Sequence, residues 1–334
     1  MNLMAQSAAR HVYALNLLSG GLDSRLAACV LSEQGVHVHG VCFESPFFSA
    51  TPAREAAAQL GIPLHTVDFT ADIVSLLDNP KHGFGSRMNP CIDCHAAMIR
   101  RADCLRKDLN FHCVATGEVL DQRPMSQNWR SLDIVARESG CGHVLLRPLS
   151  ARLLPETEVE KLGFVDRSRL LSLSGRGRKE QIRLAKLYGL DSYPSPAGGC
   201  RLTEPGFCRR LKDLRDHEGL GGRRALELLR HGRHVRLTDS LKLVVGRHEQ
   251  DNAVLEGGAE LYDLVLRVKD YPGPTGILSL MASEQQIAWA AAICARYSDA
   301  PRDREVGVQI RSAREVRVIN VRPANPADIE KSLV

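Results

Sequence analysis

Two groups of residues have types and spacings that could do chemistry. Ser19-Gly20-Gly21-Leu22-Asp23-Ser24 places two glycines, two hydroxyls and a carboxylate within six positions. Glycines lack a Cβ, so the backbone can approach an anion closely, and the unpaired amides of a helix start bind phosphate. Ser19 and Ser24 can add donors, and Asp23 is placed to hold Mg2+ bound to phosphate. The chain has no Gly-Lys dipeptide, so a Walker A loop, which serves cleavage between β and γ phosphates, is excluded. The plain alternative is a turn whose Asp and Ser only cap a helix.

The second group is Asn89-Pro90-Cys91-Ile92-Asp93-Cys94-His95, a Cys-x-x-Cys at a predicted helix start, with Cys200 after Gly198-Gly199 as a third thiol. A helix N-terminus favours thiolate, the form that binds metal and attacks as a nucleophile. Four readings compete. A c-type haem attachment needs an exported protein. Structural zinc would draw on Cys91, Cys94, His95 or Cys200, without a second Cys-x-x-Cys to complete a ribbon. A redox dithiol or persulfide carrier would pair this motif with Cys200. The preferred reading is a [4Fe–4S] cluster held by Cys91, Cys94 and Cys200, whose open iron could carry sulfide; zinc is the alternative. The other seven cysteines, Cys29, Cys42 and Cys113 among them, are expected to be buried apolar fillers.

The pattern around these groups says what positions them. Residues 12–18 are an apolar run ending at the diglycine turn, followed by helical spacing over 24–34 and a strand over 36–43. A helix at 52–60 and a strand from Leu64 follow, then a helix at 95–108, a strand at 111–116, a helix at 127–138 and a strand at 143–147. Strands alternating with helices predict βαβ units and a parallel sheet. Residues 151–190 read as helical with breaks at Gly163 and Gly175. Past residue 206 the pattern changes. Helices are expected at 207–216, 222–230 and 284–297, with short strands at 233–237, 241–246, 262–268, 276–280, 305–310 and 314–321. The division expected is therefore an α/β domain over 1–205 and a smaller α+β domain over 206–334.

At 334 residues the chain exceeds the usual single-domain size, and 44% hydrophobic with 25% charged residues is ordinary for a folded soluble protein. Aromatics are only 5%, which argues against a stacking-based single-strand binder. No apolar run approaches the ~20 residues that cross a bilayer. The first residues lack a basic stretch followed by an apolar one, so a cytoplasmic protein with thiols rather than disulfides is expected, with no membrane partner. Residues 201–242 carry eleven Lys and Arg against six Asp and Glu, an excess equal to the whole net charge of +5. Arg176, Arg178, Lys179 and Arg183 form a second basic cluster. Both read as phosphate contacts for RNA, the alternative being solvated helix faces.

The hexapeptide resembles the pyrophosphate loop of the PP-loop ATP pyrophosphatases, which adenylate a substrate oxygen and release pyrophosphate. Thr116-Gly117-Glu118-Val119-Leu120-Asp121-Gln122, with Ser126-Gln127 soon after, is similar to the Thr-Gly-Glu-x-x-x-Gln…Ser-Gln segment of bacterial tRNA 4-thiouridine synthetases in that superfamily. Arg147-Pro148-Leu149 resembles their Arg-Pro-Leu, and Cys200 matches their sulfur-transfer cysteine. The Asn-Pro-Cys-x-x-Cys run looks more like the 2-thiouridine enzymes and cluster-dependent thiolases. The resemblance covers roughly residues 12–205. Residues 206–334, with Leu243-Val244-Val245-Gly246-Arg247 and then Asp251-Asn252, resemble the RNA-binding domain of NFACT proteins.

The resemblance implies a parallel-sheet, adenine nucleotide alpha hydrolase-like domain followed by the smaller α+β domain. It places ATP on Ser19, Gly20, Gly21, Asp23, Ser24, Gly117 and Gln122, with Mg2+ near Asp23. Asp23, Cys91, Cys94 and Cys200 become the catalytic set, and Arg123 or Arg147 would steady the departing pyrophosphate. It implies tRNA as partner, with 4-thiouridine favoured over 2-thiouridine, and a sulfur donor that is sulfide or a cysteine desulfurase-derived persulfide. The 4-thiouridine enzymes carry an RNA-binding extension ahead of the loop, whereas 18 residues precede it here, so RNA capture is expected elsewhere. An ATP-dependent amidotransferase or ligase, and a non-catalytic ATP-binding RNA factor, are the rival functions.

Overall fold

The computed structural model describes residues 11–195 and 199–334, which divide into two compact units, Met1–Thr203 and Glu204–Val334. The first unit begins with β1 (Tyr13–Leu17), α1 (Leu22–Ser32), β2 (His37–Glu44), α2 (Thr51–Leu60) and β3 (Leu64–Asp68). It continues with α3 (Thr70–Asp78), α4 (Cys91–Asp108), β4 (Cys113–Thr116), α5 (Trp129–Ser139) and β5 (Leu145–Leu146). The five strands form one parallel sheet in the order β3-β2-β1-β4-β5. β1 and β4 are buried through their central residues, which is why both read as unbroken apolar runs. Helix ends follow local rules. Gly61 (φ +65°) and Gly140 (φ +75°) end α2 and α5 in the left-handed conformation, and Asn128 caps α5 by accepting from the Ser131 amide at 2.9 Å.

The segment after β5 departs from the helical expectation. Between 151 and 190 only α6 (Glu158–Lys161) and α7 (Lys179–Leu187) are α-helical, with short 3-10 turns elsewhere. The leucines of 170–173 lie along the chain that leaves β5. The Leu171 amide bonds the Pro148 carbonyl at 2.9 Å, Leu173 bonds Leu149 at 2.8 Å, and Arg152 returns a bond to Leu171 at 3.1 Å. Non-local pairing satisfies these amides, so tertiary context overrides the helix propensity of Leu and Arg. α7 packs on the first unit's core through Leu184 and Ala185, beside Leu26, Val30, Cys113 and Leu146.

The second unit comprises α8 (Pro205–His217), α9 (Arg223–Leu228), β6 (Arg233–Thr238), β7 (Leu241–Val245), α10 (Glu249–Gly257) and β8 (Asp263–Val268). β9 (Thr275–Ser279), α11 (Glu284–Arg296), β10 (Val306–Arg311), β11 (Val316–Val321) and α12 (Pro326–Glu330) complete it. Its sheet is antiparallel, in the order β11-β10-β8-β9-β7-β6. Strand residues alternate between two apolar faces. Leu243, Leu266 and Leu278 meet Ile293 and Cys294 of α11, while Val244, Val265 and Ile277 meet Leu255 of α10. Gly276 lets α11 lie close, because a Cβ there would stand 2.6 Å from the Cys294 sulfur. α10 and α12 are short helices with weak periodicity, so the sequence pattern does not mark them.

Candidate nucleotide and thiol site

β1 lies between β2 and β4, so the connections leaving it and β4 diverge, and the crevice beyond their carboxyl ends is where open α/β sheets take ligands. Residues 19–24 leave β1 there and residues 116–122 leave β4. Gly20 has φ +83°, and a Cβ on it would stand 2.3 Å from the Pro52 carbonyl oxygen, so only glycine closes this turn. Gly21 is the N-cap of α1 and no side chain caps the helix, which leaves first-turn amides for a ligand. The Ser24 hydroxyl donates to the Gly21 carbonyl at 2.8 Å, with Ser19 Oγ 3.3 Å from Ser24 Oγ. Two residues behind the turn brace it. Asn16 Nδ2 donates to the Ser24 carbonyl at 3.0 Å, and the buried Arg25 donates from Nε to the Gly20 carbonyl at 2.9 Å.

Asp23 is the chemically exposed member of the turn. Its Oδ2 accepts from Gln122 Nε2 at 2.8 Å, whereas its buried Oδ1 has no hydrogen-bond partner. Arg178 Nη2 stands 3.8 Å from that oxygen, and Arg178 Nε is itself buried with no acceptor. An orphaned carboxylate oxygen beside uncapped amides suits a cation bridging to phosphate, so the residues fit Mg2+ and a triphosphate. Arg178 stood in the sequence only as part of a basic cluster. Its Gly-Arg-Lys context before a helix was the available signal. Asn16, a polar residue inside an apolar run, was the signal for the brace behind the turn.

Residues 116–122 join this turn to the thiols. A Cβ on Gly117 would lie 2.5 Å from the Ser24 nitrogen, so glycine here sets the approach of the β4 loop to α1. Glu118 is buried. Its Oε1 stands 2.9 Å from His95 Nδ1, and its Oε2 accepts from Arg147 Nε at 2.8 Å and Thr116 Oγ1 at 3.1 Å. Burial alone would raise this carboxyl, but Arg147 and His95 outweigh it and hold the group well below the usual carboxylate range. Arg147 is thus buried against Glu118 and also donates to the Leu132 carbonyl at 3.0 Å, which removes it as a pyrophosphate ligand. Arg123 is exposed.

His95 is on the first turns of α4, which begins at Cys91. Asn89 Nδ2 donates to Cys91 Sγ at 3.1 Å, and Asp93 takes His82 Nδ1 at 2.7 Å. Burial first, then the nearby thiols of Cys200 and Cys91 and the Asp93 carboxylate, pushes the Cys94 thiol far above its ordinary value. Cys91 and Cys200 thus lie close enough to act on the Cys94 thiol electrostatically. Among the described residues, however, no three His, Cys, Asp or Glu side chains are arranged to hold a metal ion, and His95 is turned to Glu118. As placed, the three thiols are not arranged as a cluster or zinc ligand set. Gly198, beside Cys200, lies outside the described residues. Of the remaining cysteines, Cys42, Cys113, Cys141, Cys208 and Cys294 are buried as expected, but Cys29 is only half-buried and Cys104 is exposed on α4.

A cavity of about 500 Å³ opens beside α5, lined by Trp129, Arg137, His143, Arg147 and Lys161 among others, and includes neither the diglycine turn nor the thiols. In the second unit, much of the basic excess is internally neutralised. Arg236 and Lys242 contact Asp213 and Glu218, and Arg224 pairs with Asp263. The Gly-Arg and Asp-Asn residues are structural: Asp251 Oδ2 accepts from Arg247 Nε at 2.8 Å and from the Gly232 amide at 3.0 Å, and Asn252 Oδ1 accepts from the Thr275 amide at 2.9 Å. Among the described residues no helix is long and apolar enough to cross a membrane.

A parallel-sheet α/β unit with a diglycine turn at the carboxyl end of β1, joined in sequence to an antiparallel α+β unit, is thus the class that the fold and site define. Residues 10–152 match the family model for thiamine biosynthesis protein (ThiI), and residues 232–333 match the NFACT protein RNA binding domain. The tRNA-specific 2-thiouridylase MnmA of Chloroflexus aggregans is 30% identical over 190 residues, covering 50% of this chain and 48% of that protein. Its counterpart from Pelobacter propionicus is 37% identical over 196 residues, covering 52% and 49%. The chain spans about half the length of these curated relatives. A 4-thiouridine synthetase solved as an RNA complex with bound ATP is similar at 21% identity and a TM-score of 0.38, over 53% of this chain and 41% of that one. The resemblances read from the sequence thus recur in both units.

Proposed function

We propose that this chain is an ATP-dependent tRNA-uridine sulfurtransferase that makes 4-thiouridine. One observation carries the reading. The single segment 116–122 packs Gly117 on the phosphate turn, bonds Gln122 to Asp23 and anchors the thiol helix through Glu118 and His95. Nucleotide activation and sulfur chemistry would then share one frame. The uridine oxygen attacks the α-phosphorus of ATP, and pyrophosphate leaves with the bridging oxygen. Amides of α1 and Arg178 hold the phosphates, and Mg2+ on Asp23 would supply charge neutralisation there. A carbonyl oxygen is a poor leaving group, whereas AMP departs readily.

For the second half, a persulfide on Cys200, loaded by a cysteine desulfurase-derived donor, attacks the activated ring carbon. AMP leaves with the C–O electron pair, and the base is held as Cys200–S–S–C. Cys91 then attacks the Cys200 sulfur, forming a Cys91–Cys200 disulfide and releasing the thiocarbonyl, and a thiol reductant returns two electrons. The similarity to the two 2-thiouridylases favours a second reading, thiolation at position 2. Nucleoside mass spectrometry of tRNA from a deletion strain separates the two. Loss of 4-thiouridine is expected, loss of 2-thiouridine reassigns the position, and loss of neither overturns the thiolation reading. Tolerance of replacing all three thiols by Ser would instead favour a ligase, and absence of tRNA-stimulated pyrophosphate release a non-catalytic factor.

A further inference from the structure

Next to the Asp23–Gln122 contact the chain displays apolar surface that the chemistry above leaves unused. Trp129, the first residue of α5, is 55% exposed and Met125 is 69% exposed. Both sit on a turn that is locked rather than loose. The Asp121 amide bonds the Gln127 carbonyl at 2.8 Å, the Gln127 amide bonds Arg123 at 2.8 Å, and Asn128 Nδ2 reaches the Pro124 carbonyl at 2.6 Å. Ser131 Oγ adds a bond to the Met125 carbonyl at 3.3 Å, and Ser126 and Gln127 are buried beneath. An indole more than half exposed at the mouth of the α5 cavity adds little to the core, and aromatics are scarce here. Arg123 and Arg130 flank the two apolar residues, both exposed, and neither has a carboxylate partner among the described residues.

We propose that Trp129 is a stacking platform for an unpaired base of the RNA substrate, with Arg123 and Arg130 taking the phosphates on either side. An indole face stacks on any base, and guanidinium groups without internal partners suit a phosphodiester backbone. The position also suits it: the same turn starts at Gln122, which is bonded to the phosphate-loop aspartate. This inference rests on the proposed action on tRNA, and its test separates the two.

The full chain has two tryptophans, and Trp289 packs against the core of the second unit, so a fluorescence change on RNA addition reports chiefly on Trp129. Titration with an unmodified tRNA transcript should quench emission. Trp129→Ala should abolish the quench and weaken RNA binding about 5- to 100-fold. Trp129→Phe should retain most of the affinity, and Trp129→Ala should keep the wild-type melting temperature and ATP binding. Wild-type affinity in Trp129→Ala, with RNA bound and emission unmoved, overturns the platform and leaves the tRNA reading intact. Failure of the wild-type chain to bind tRNA overturns both. If Trp129→Ala thiolates tRNA normally with excess sulfide but loses turnover with a protein persulfide donor, the surface serves that donor, and the RNA assignment is wrong.

Discussion

Glu118 Oε1 stands 2.9 Å from His95 Nδ1, so one carboxylate that follows β4 anchors the helix that carries Cys91 and Cys94. Its second oxygen is held by Arg147, and all three groups are tied into one buried or half-buried unit. Removing one partner of such a pair strands a charge. Arg147→Met should therefore cost about 3–5 kcal/mol in urea unfolding, and Glu118→Gln less, because the amide keeps part of the bonding. The sign with pH follows from the depressed carboxyl. Its stabilisation is fully present above the ordinary value of 4.5 and is lost as pH falls below it toward the lower folded value. Acid unfolding of Glu118→Gln should be flatter than wild type over that range, and an unchanged slope would count against the pair.

The three glycines separate folding from binding. Gly20→Ala forces a Cβ into the Pro52 carbonyl at a left-handed position, and Gly117→Ala drives one into the start of α1. Both should lower the melting temperature and abolish ATP binding. Gly21→Ala meets nothing closer than Ser19 Oγ at 3.4 Å, so it should fold normally and lose ATP affinity alone. Isothermal titration beside thermal melts checks all three.

Arg178 Nη2 stands 3.8 Å from Asp23 Oδ1, and each residue keeps a buried polar atom without a hydrogen-bond partner. Asp23→Asn and Arg178→Gln should each reduce tRNA-stimulated pyrophosphate release about 10²-fold or more, with little change in stability. Arg147→Lys should affect stability more than turnover. Equal loss of turnover and stability in Arg178→Gln would make it a structural residue.

The thiols should differ in reactivity. Cys104 is exposed, whereas burial holds the Cys94 thiol protonated at neutral pH. In a brief alkylation followed by peptide mass spectrometry, Cys104 should be modified first and Cys94 last, becoming reactive only when pH rises well above 9. Cys104→Ser should leave thiolation unchanged, while Cys91→Ser and Cys200→Ser should stop thiolation and preserve pyrophosphate release. Early labelling of Cys94 would contradict the burial.

In the second unit His234 is buried at 1% exposure, and burial lowers it to about 3, so it is neutral when folded. The unfolded chain takes up a proton there below about 6.5, so the stabilisation is complete above that value and declines as pH falls toward 3. Urea unfolding followed by Trp289 emission should show this decline, and His234→Asn should flatten it.

What the linear chain determined by itself was local. Alternating apolar runs and helices specified the parallel sheet, because period and glycine punctuation are written within each element. The diglycine hexapeptide and the Cys-x-x-Cys were legible for the same reason: their chemistry depends on neighbours in sequence. Only the tertiary structure decided that Gly117 acts through packing on Ser24, that Arg147 serves Glu118 instead of phosphate, and that Arg178 faces Asp23 from a hundred and fifty-five positions away. It also decided against a long helical stretch over 151–190, where backbone partners come from the turn at 148–149 that follows β5. Partners so distant in sequence meet only when the whole core closes, and no propensity or spacing encodes a burial that another element supplies.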